Sequence, residues 1–126
     1  MMFPKEIYWR SPEYLAYIDS MPCEVPGCCK DTTHHHENLG MGGTALKAPD
    51  SHGISLCIED HHIPGVHRMG SKSFYKKYGI DVEAVIIRNI TGFIELKGLE
   101  IPDYSHCETR REAIKLLTEY MHIKGL

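Results

Sequence analysis

The sequence predicts an α+β fold, with two short strands and a following helix carrying Cys/His metal ligands and further helices at the flanks. Three observations predict it. Seven of the nine histidines lie between His34 and His67, and four of the five cysteines lie between Cys23 and Cys57. Inside that span, short stretches that suit strands alternate with Gly-rich turns. Outside it, apolar residues recur at helical spacing. A chain of 126 residues suits one domain. We assign 1–126 to it, with a metal-binding core over about 21–79, an N-terminal helix over about 12–20 and C-terminal helices over about 81–123.

Each element follows from local chemistry. Ser11-Pro12-Glu13 supplies an N-cap, a proline at the first helical position and an acid in the first turn. A helix should run from about Pro12 to Ser20, with Leu15 and Ile18 on one face. Met21 to Lys30 is turn-rich. Thr32 to His36 opens with two β-branched residues and predicts a short strand. Leu39 to Ser51 is a loop carrying Gly40, Gly42, Gly43, Pro49 and Asp50. Gly53 to Cys57 predicts a second strand. Ile58 to about Val66 opens a helix that Pro64 should shorten or distort. Ser71 caps a helix through about Tyr78, closed by Gly79. Asp81 caps another, in which Val82, Val85, Ile86, Ile90 and Phe93 keep helical spacing, with a hairpin as the alternative. Glu108 to Ile123 forms the last helix, with Ala113, Ile114, Leu117, Tyr120 and Met121 as its apolar stripe.

Composition excludes several classes. Hydrophobic residues make up 42% and charged residues 25%, as in ordinary soluble globular proteins. No apolar run approaches the length of a bilayer span. The N-terminus has no apolar segment or small-residue cleavage site of a secretory signal, so a cytoplasmic protein is expected. Odd cysteine number argues against a disulfide framework, and cysteines interleaved with histidines argue for metal. The net charge of −3 opposes nucleic-acid binding, since phosphate neutralisation supplies much of that affinity. Bound cations and a local face of Arg68, Lys72, Lys76, Lys77 and Arg88 would offset it.

Two constellations carry chemistry. Cys23 and Cys28 in a tight turn, with Cys57 at a strand end and His61 at a helix start, can close a tetrahedron around a structural Zn²⁺. Cys29 competes with Cys28 as a ligand. Buried or free cysteines are the competing interpretation, and Cys107 is assigned as a free thiol. The second constellation joins His34-His35-His36 at the end of the first strand to His62 and His67 near the helix. The helix supplies two ligands for a divalent ion, and the strand supplies a third and a base. A neutral histidine can take a proton from water, and a divalent metal stabilises charge on a phosphate and its leaving oxygen. Adjacent strand residues point to opposite faces, so ligand and base converge only if the strand end is irregular. His52 is expected in the loop without a role, and His106 and His122 at the surface.

The stretch HHHENLGMGGTALKAPDSHGISLCIEDHHIPGVHRMGSKSF resembles the HNH endonucleases of phage and prophage recombination loci, including the RecA-dependent nuclease group. The shared elements are His35-His36, Gly40 to Gly43, Lys47 with Asp50, Leu56-Cys57, His61-His62, His67, and Gly70 with Phe74. The likeness spans roughly Cys23 to Gly79. It implies a ββα-metal core (His-Me finger, treble-clef-like) with a structural zinc knuckle and flanking helices. It further implies an endonuclease that nicks DNA, with Mg²⁺, Mn²⁺, Ni²⁺ or Zn²⁺ as catalytic ion and recombination proteins as candidate partners. His36 would be the general base, His35, His62 and His67 the ligands of the catalytic metal, and Asp50 the residue that ties the loop and orients the base. Cys23, Cys28, Cys57 and His61 would hold the zinc. The triple histidine also admits His34 as ligand and His35 as base. Five residues separate His62 from His67, which a regular helix would turn apart, so Pro64 and Gly65 should distort the turn. A non-catalytic zinc-stabilised nucleic-acid-binding module is the alternative, and a hydrolase of RNA or another phosphodiester is a third.

Overall fold

The computed structural model describes residues 8–39 and 48–126. Helix α1 spans Pro12–Asp19. Strand β1 spans Thr32–His36 and strand β2 Gly53–Cys57. A 3₁₀ turn over Asp50–His52 leads into β2. A π-helical turn over His62–His67 precedes α2, Ser71–Tyr78. Helix α3 spans Val82–Leu96 and α4 spans Arg110–Ile123. The protein is thus mixed α+β, with one small sheet among the described residues. Among the described residues no helix is long and apolar enough to cross a membrane.

Both strands lie where the β-branched and glycine pattern put them. They pair antiparallel, with His34 opposite Ser55, His35 opposite Ile54 and His36 opposite Gly53. Every residue of β2 is buried, because α1 and α3 pack against it. The side chain of Asn89 on α3 donates to the carbonyl oxygen of Gly53, at 3.4 Å, and fixes the start of the strand.

The core is aromatic near α1 and aliphatic towards α4. Tyr14 packs edge-on against Trp9 and Phe93, with ring centroids 5.1 and 4.9 Å away. Ile54, Leu56, Ile86, Ile90, Ile94, Ile114, Leu117 and Met121 complete it. Burial of each such side chain stabilises the fold by about 1.5–3 kcal/mol. The Trp9 indole donates to the carbonyl oxygen of Leu126 at 3.1 Å, joining the segment before α1 to the end of α4.

Several expectations are corrected here. The buried pair on α1 is Tyr14 and Ile18, four residues apart, while Leu15 is half-buried. Ser11 caps the helix as expected, accepting from the Tyr14 amide at 3.1 Å. Residues 58–61 form a turn, so the helix expected from Ile58 begins four residues later. The cap of α2 is Gly70, whose φ of +87° is open to glycine but costly for other residues; Ser71 is the first helical residue. The segment after Asp81 is a helix and not a hairpin, and the Asp81 carboxylate accepts from the Ala84 amide. Helix α4 starts at Arg110 behind the cap Thr109, two residues later than the stripe alone predicts. On that stripe, Tyr120 is half-buried and the other four residues are buried.

Candidate metal centres

The first centre forms where a knuckle meets the end of β2. Residues 21–28 fold back on the sheet because Ser55 Oγ and Thr32 Oγ1 both donate to the Met21 carbonyl, each at 2.9 Å. The Glu24 amide donates to the Ser55 carbonyl at 3.0 Å, and the Cys28 amide to that of Val25 at 3.1 Å. These bonds bring Cys23 and Cys28 to Cys57 and His61. The four ligand atoms lie within 4.8 Å of one another, so the cluster could hold a metal ion. Ligands at Zn–S near 2.3 Å and Zn–N near 2.0–2.1 Å of a tetrahedral ion stand about 3.6 Å apart. Cys23 Sγ lies 3.6 Å from His61 Nδ1, and Cys57 Sγ lies 3.1 Å from it.

The surroundings suit thiolates that share a cation. The Cys57 amide donates to Cys23 Sγ at 3.3 Å, and the Asp60 amide to Cys57 Sγ at 3.4 Å. Burial pushes the Cys23 thiol up to about 11, despite amide hydrogen bonds that oppose the shift. A divalent ion would reverse that cost by supplying the missing charge. The Lys30 amide holds the Cys28 thiol below its ordinary range. Of the two neighbours, Cys28 lies in the cluster, and Cys29 is exposed and outside it. Cys107 is free and half-buried just before α4.

The second centre joins β1 to the π-turn. His35, His62 and His67 also bring one ligand atom each within 4.8 Å of the others. His62 Nε2 and His67 Nε2 are 3.1 Å apart, close to the roughly 3–3.4 Å of two imidazole ligands on one ion. On an α-helix, residues five apart are about 140° apart around the axis. The π-turn removes this conflict. Its backbone bond runs from the Val66 amide to the His61 carbonyl, five residues back, at 2.9 Å, and the wider turn stacks His62 over His67. Pro64 is harmless here, because an amide so near the start of the turn lacks an intrahelical partner anyway. Gly65 makes the turn possible: a Cβ there would lie 2.9 Å from both the Asp60 carbonyl oxygen and Phe74 Cε2.

His35 is buried, and its Nε2 lies 3.2 Å from Glu37 Oε2. The Tyr75 hydroxyl donates to that same oxygen at 2.6 Å. Burial opposes ionisation of Glu37, but hydrogen bonds from His35 and Tyr75 outweigh it and hold the carboxyl below its usual range. Burial and the neighbouring His35, His67 and His34 push the His62 imidazole down to about 4, so it stays neutral and available as a ligand. Such a carboxylate behind a ligating histidine fixes its tautomer and ring orientation.

His36 sits elsewhere. Strand alternation puts it with His34, ring centroids 5.5 Å apart, on the face opposite His35. Its Nε2 lies 2.8 Å from Asp50 Oδ1. Asp50 Oδ2 accepts from the Ser11 amide at 2.7 Å, and Arg10 reaches Oδ1 at 3.5 Å. Asp50 thus links His36 of β1 to the Arg10-Ser11 segment ahead of α1. The strand keeps its register through His36, so the irregular backbone expected to swing ligand and base together is not within it. His34 pairs with Asp19 at 2.8 Å and is not one of the clustered imidazoles.

Glu37 and Tyr75 were missed from sequence, since neither belongs to a ligand pattern; the acid two residues after His35 was the available signal. His52 was also misjudged. It is buried, its Nδ1 is 3.0 Å from the Glu37 carbonyl, and its own carbonyl accepts from the Glu37 amide. Arg88 leaves the expected basic face, because it reaches Glu24 at 2.5 Å from α3. His106 and His122 are exposed as expected. Gly40, Gly42, Gly43 and Lys47 lie outside the described residues.

Fold and site together define a small α+β protein with, among the described residues, two groups of His and Cys that could hold a metal ion. Residues 1–92 match the family described as "Protein of unknown function (DUF968)", and the chain belongs to that family. It is similar to the Uncharacterized protein YdfU of Escherichia coli (strain K12), with 31% identity over 85 residues, covering 68% of this chain and 24% of the relative. The matched region thus spans about a quarter of that relative's length. No solved structure matches.

Proposed function

We propose that this protein is a metal-dependent endonuclease of the HNH type, with a ββα-metal core that nicks DNA. The observation that carries the reading is the convergence of His35 from β1 with His62 and His67 of the π-turn, beside a separate Cys₃His group. Cys23, Cys28, Cys57 and His61 would hold a structural Zn²⁺. His35, His62 and His67 would hold the catalytic ion, which when bound would stabilise the charge developing on the phosphate and on the leaving 3′-oxygen. Glu37 and Tyr75 keep His35 oriented.

The reading assigns proton transfer to His36, whose Nε2 lies 2.8 Å from Asp50 Oδ1. Because its ring lies on the face of β1 opposite His35, the strand end has to turn when DNA binds before the imidazole can take a proton from the attacking water. The water oxygen would bond to phosphorus as its proton passes to His36, the bond to the 3′-oxygen would break, and that oxygen would take a proton from solvent, giving a 5′-phosphate and a 3′-hydroxyl. The test is plasmid nicking with Mg²⁺, Mn²⁺, Ni²⁺ or Zn²⁺. His36→Ala should lower the rate about 10²–10⁴-fold while both metal groups still fill. Activity unchanged in both His36→Ala and His35→Ala overturns the assignment.

A second reading, a zinc-stabilised nucleic-acid-binding module without catalysis, draws on the position of His36 away from the three clustered imidazoles. Metal counting separates the two. One tightly held zinc per chain favours the module, and a second, exchangeable ion favours the nuclease.

A further inference from the structure

We infer that the solvent face of α2, continued back to Arg68, is a docking stripe for the phosphate backbone of DNA; this rests on the nucleic-acid part of the reading above. Between His61 and Ile80 the chain carries Arg68, Lys72, Lys76 and Lys77 and no acid. All four are exposed. Elsewhere the cations are largely spent: Arg10, Lys30, Arg88, Lys97, Arg110 and Arg111 each meet a carboxylate. Among the described residues none of the four is in such a pair, nor are Lys115 and Lys124 near the end of the chain, although the chain as a whole has a charge of −3. Four unpaired cations on one acid-free segment of an acidic protein give that face a local potential opposite to the net charge.

The placement of the stripe gives it a partner. Arg68 directly follows His67, and Tyr75 on the same helix reaches Glu37 behind His35. Lys72 and Lys76 stand one turn apart, about 6 Å along the axis, with Phe74, Tyr75 and Tyr78 turned towards the protein. A polyanion lying along α2 would therefore arrive at the three imidazoles. Lysines act on phosphate as flexible point charges, so the stripe would position a backbone without reading its sequence.

The test compares two double variants of equal charge change. Fluorescence anisotropy of a labelled DNA duplex is measured across a salt series, with zinc-loaded protein and no other divalent ion. In Lys72→Gln/Lys76→Gln the slope of log K against log salt should shrink by about 1.8, from about 0.9 per lost contact. Lys115→Gln/Lys124→Gln, on α4 and at its C-cap, should keep the wild-type slope. Zinc content and melting temperature report that both variants fold. An unchanged slope in the α2 variant, an equal loss in the α4 variant, or wild-type protein that binds phosphatidylserine vesicles and not DNA each overturn the inference. A protein that binds DNA through the stripe but nicks nothing with any ion defeats the nuclease reading and leaves this one standing.

Discussion

Replacing Gly65 by alanine should destabilise the protein and weaken the three-histidine group together. In an ordinary exposed helix the same change would be favourable by about 0.8–1 kcal/mol, since glycine is the poorer helix former. Here the new Cβ would lie 2.9 Å from the Asp60 carbonyl oxygen and 2.9 Å from Phe74 Cε2. Unstrained carbon contacts are at about 3.5–4.0 Å. Neither neighbour can yield cheaply: the first is backbone, and the second belongs to a fully buried ring packed 4.8 Å from Tyr78 and 5.6 Å from Tyr75. Overpacking of this kind costs about 1–3 kcal/mol. For a chain of this size that lowers Tm by about 4–12 °C. Relief requires the π-turn to lift from α2, which carries His62 away from His67. Calorimetry of zinc-loaded protein gives the first quantity, and titration of Ni²⁺ into the three-histidine group gives the second, expected to weaken at least about tenfold. An alanine variant that melts at or above the wild-type temperature, with unchanged Ni²⁺ affinity, refutes the close approach and the geometry built on it.

Two further outcomes follow from the ligand groups. With a structural zinc at the first group as proposed, Cys57→Ser should cost the fold most of the free energy of that ion, which for structural sites is about 10–16 kcal/mol and exceeds a typical domain's whole stability; circular dichroism should show an unfolded chain at 25 °C, whereas Cys29→Ser should melt as wild type. Glu37→Gln should weaken the ion at His35, His62 and His67 about 10–100-fold with zinc content unchanged, as read by calorimetric titration, and equal affinity in the two proteins would remove Glu37 from any role in orienting His35.

What could be read in advance was what depends on local chemistry. Strand and helix positions followed from β-branched residues, caps and apolar spacing, and the membership of the two groups that could hold an ion followed from residue type and order along the chain. What escaped depends on contacts between distant segments. The exposed Cys29 and the clustered Cys28 are neighbours in sequence, and only the turn held by Met21 and Val25 separates their roles. The strand predicts that His35 and His36 diverge, but not that Asp50, fixed by the Ser11 amide, is waiting for His36. A π-turn has no propensity signature of its own. Pro64 and Gly65 announced a distortion, but its form depends on Phe74, which lies nine residues further along than Gly65. Glu37 and His52 were invisible because a buried polar residue is recognised by its partners and not by its own type.

One peptide bond joins the two groups. His61 completes the sulfur-rich cluster and His62 opens the imidazole trio. With both groups filled as proposed, an ion on the first would restrain the backbone that presents the second, so the ordering entropy of that dipeptide would be borne once for two ions. Occupancy of either group would then raise the affinity of the other, and thermodynamic reciprocity would make the two factors equal. Under the proposed reading, loading should follow a sequence, with the thiolate cluster filling first and the imidazoles tightening afterwards. A chelator-treated preparation should then understate the affinity of the imidazole trio until zinc is supplied to the thiolate cluster.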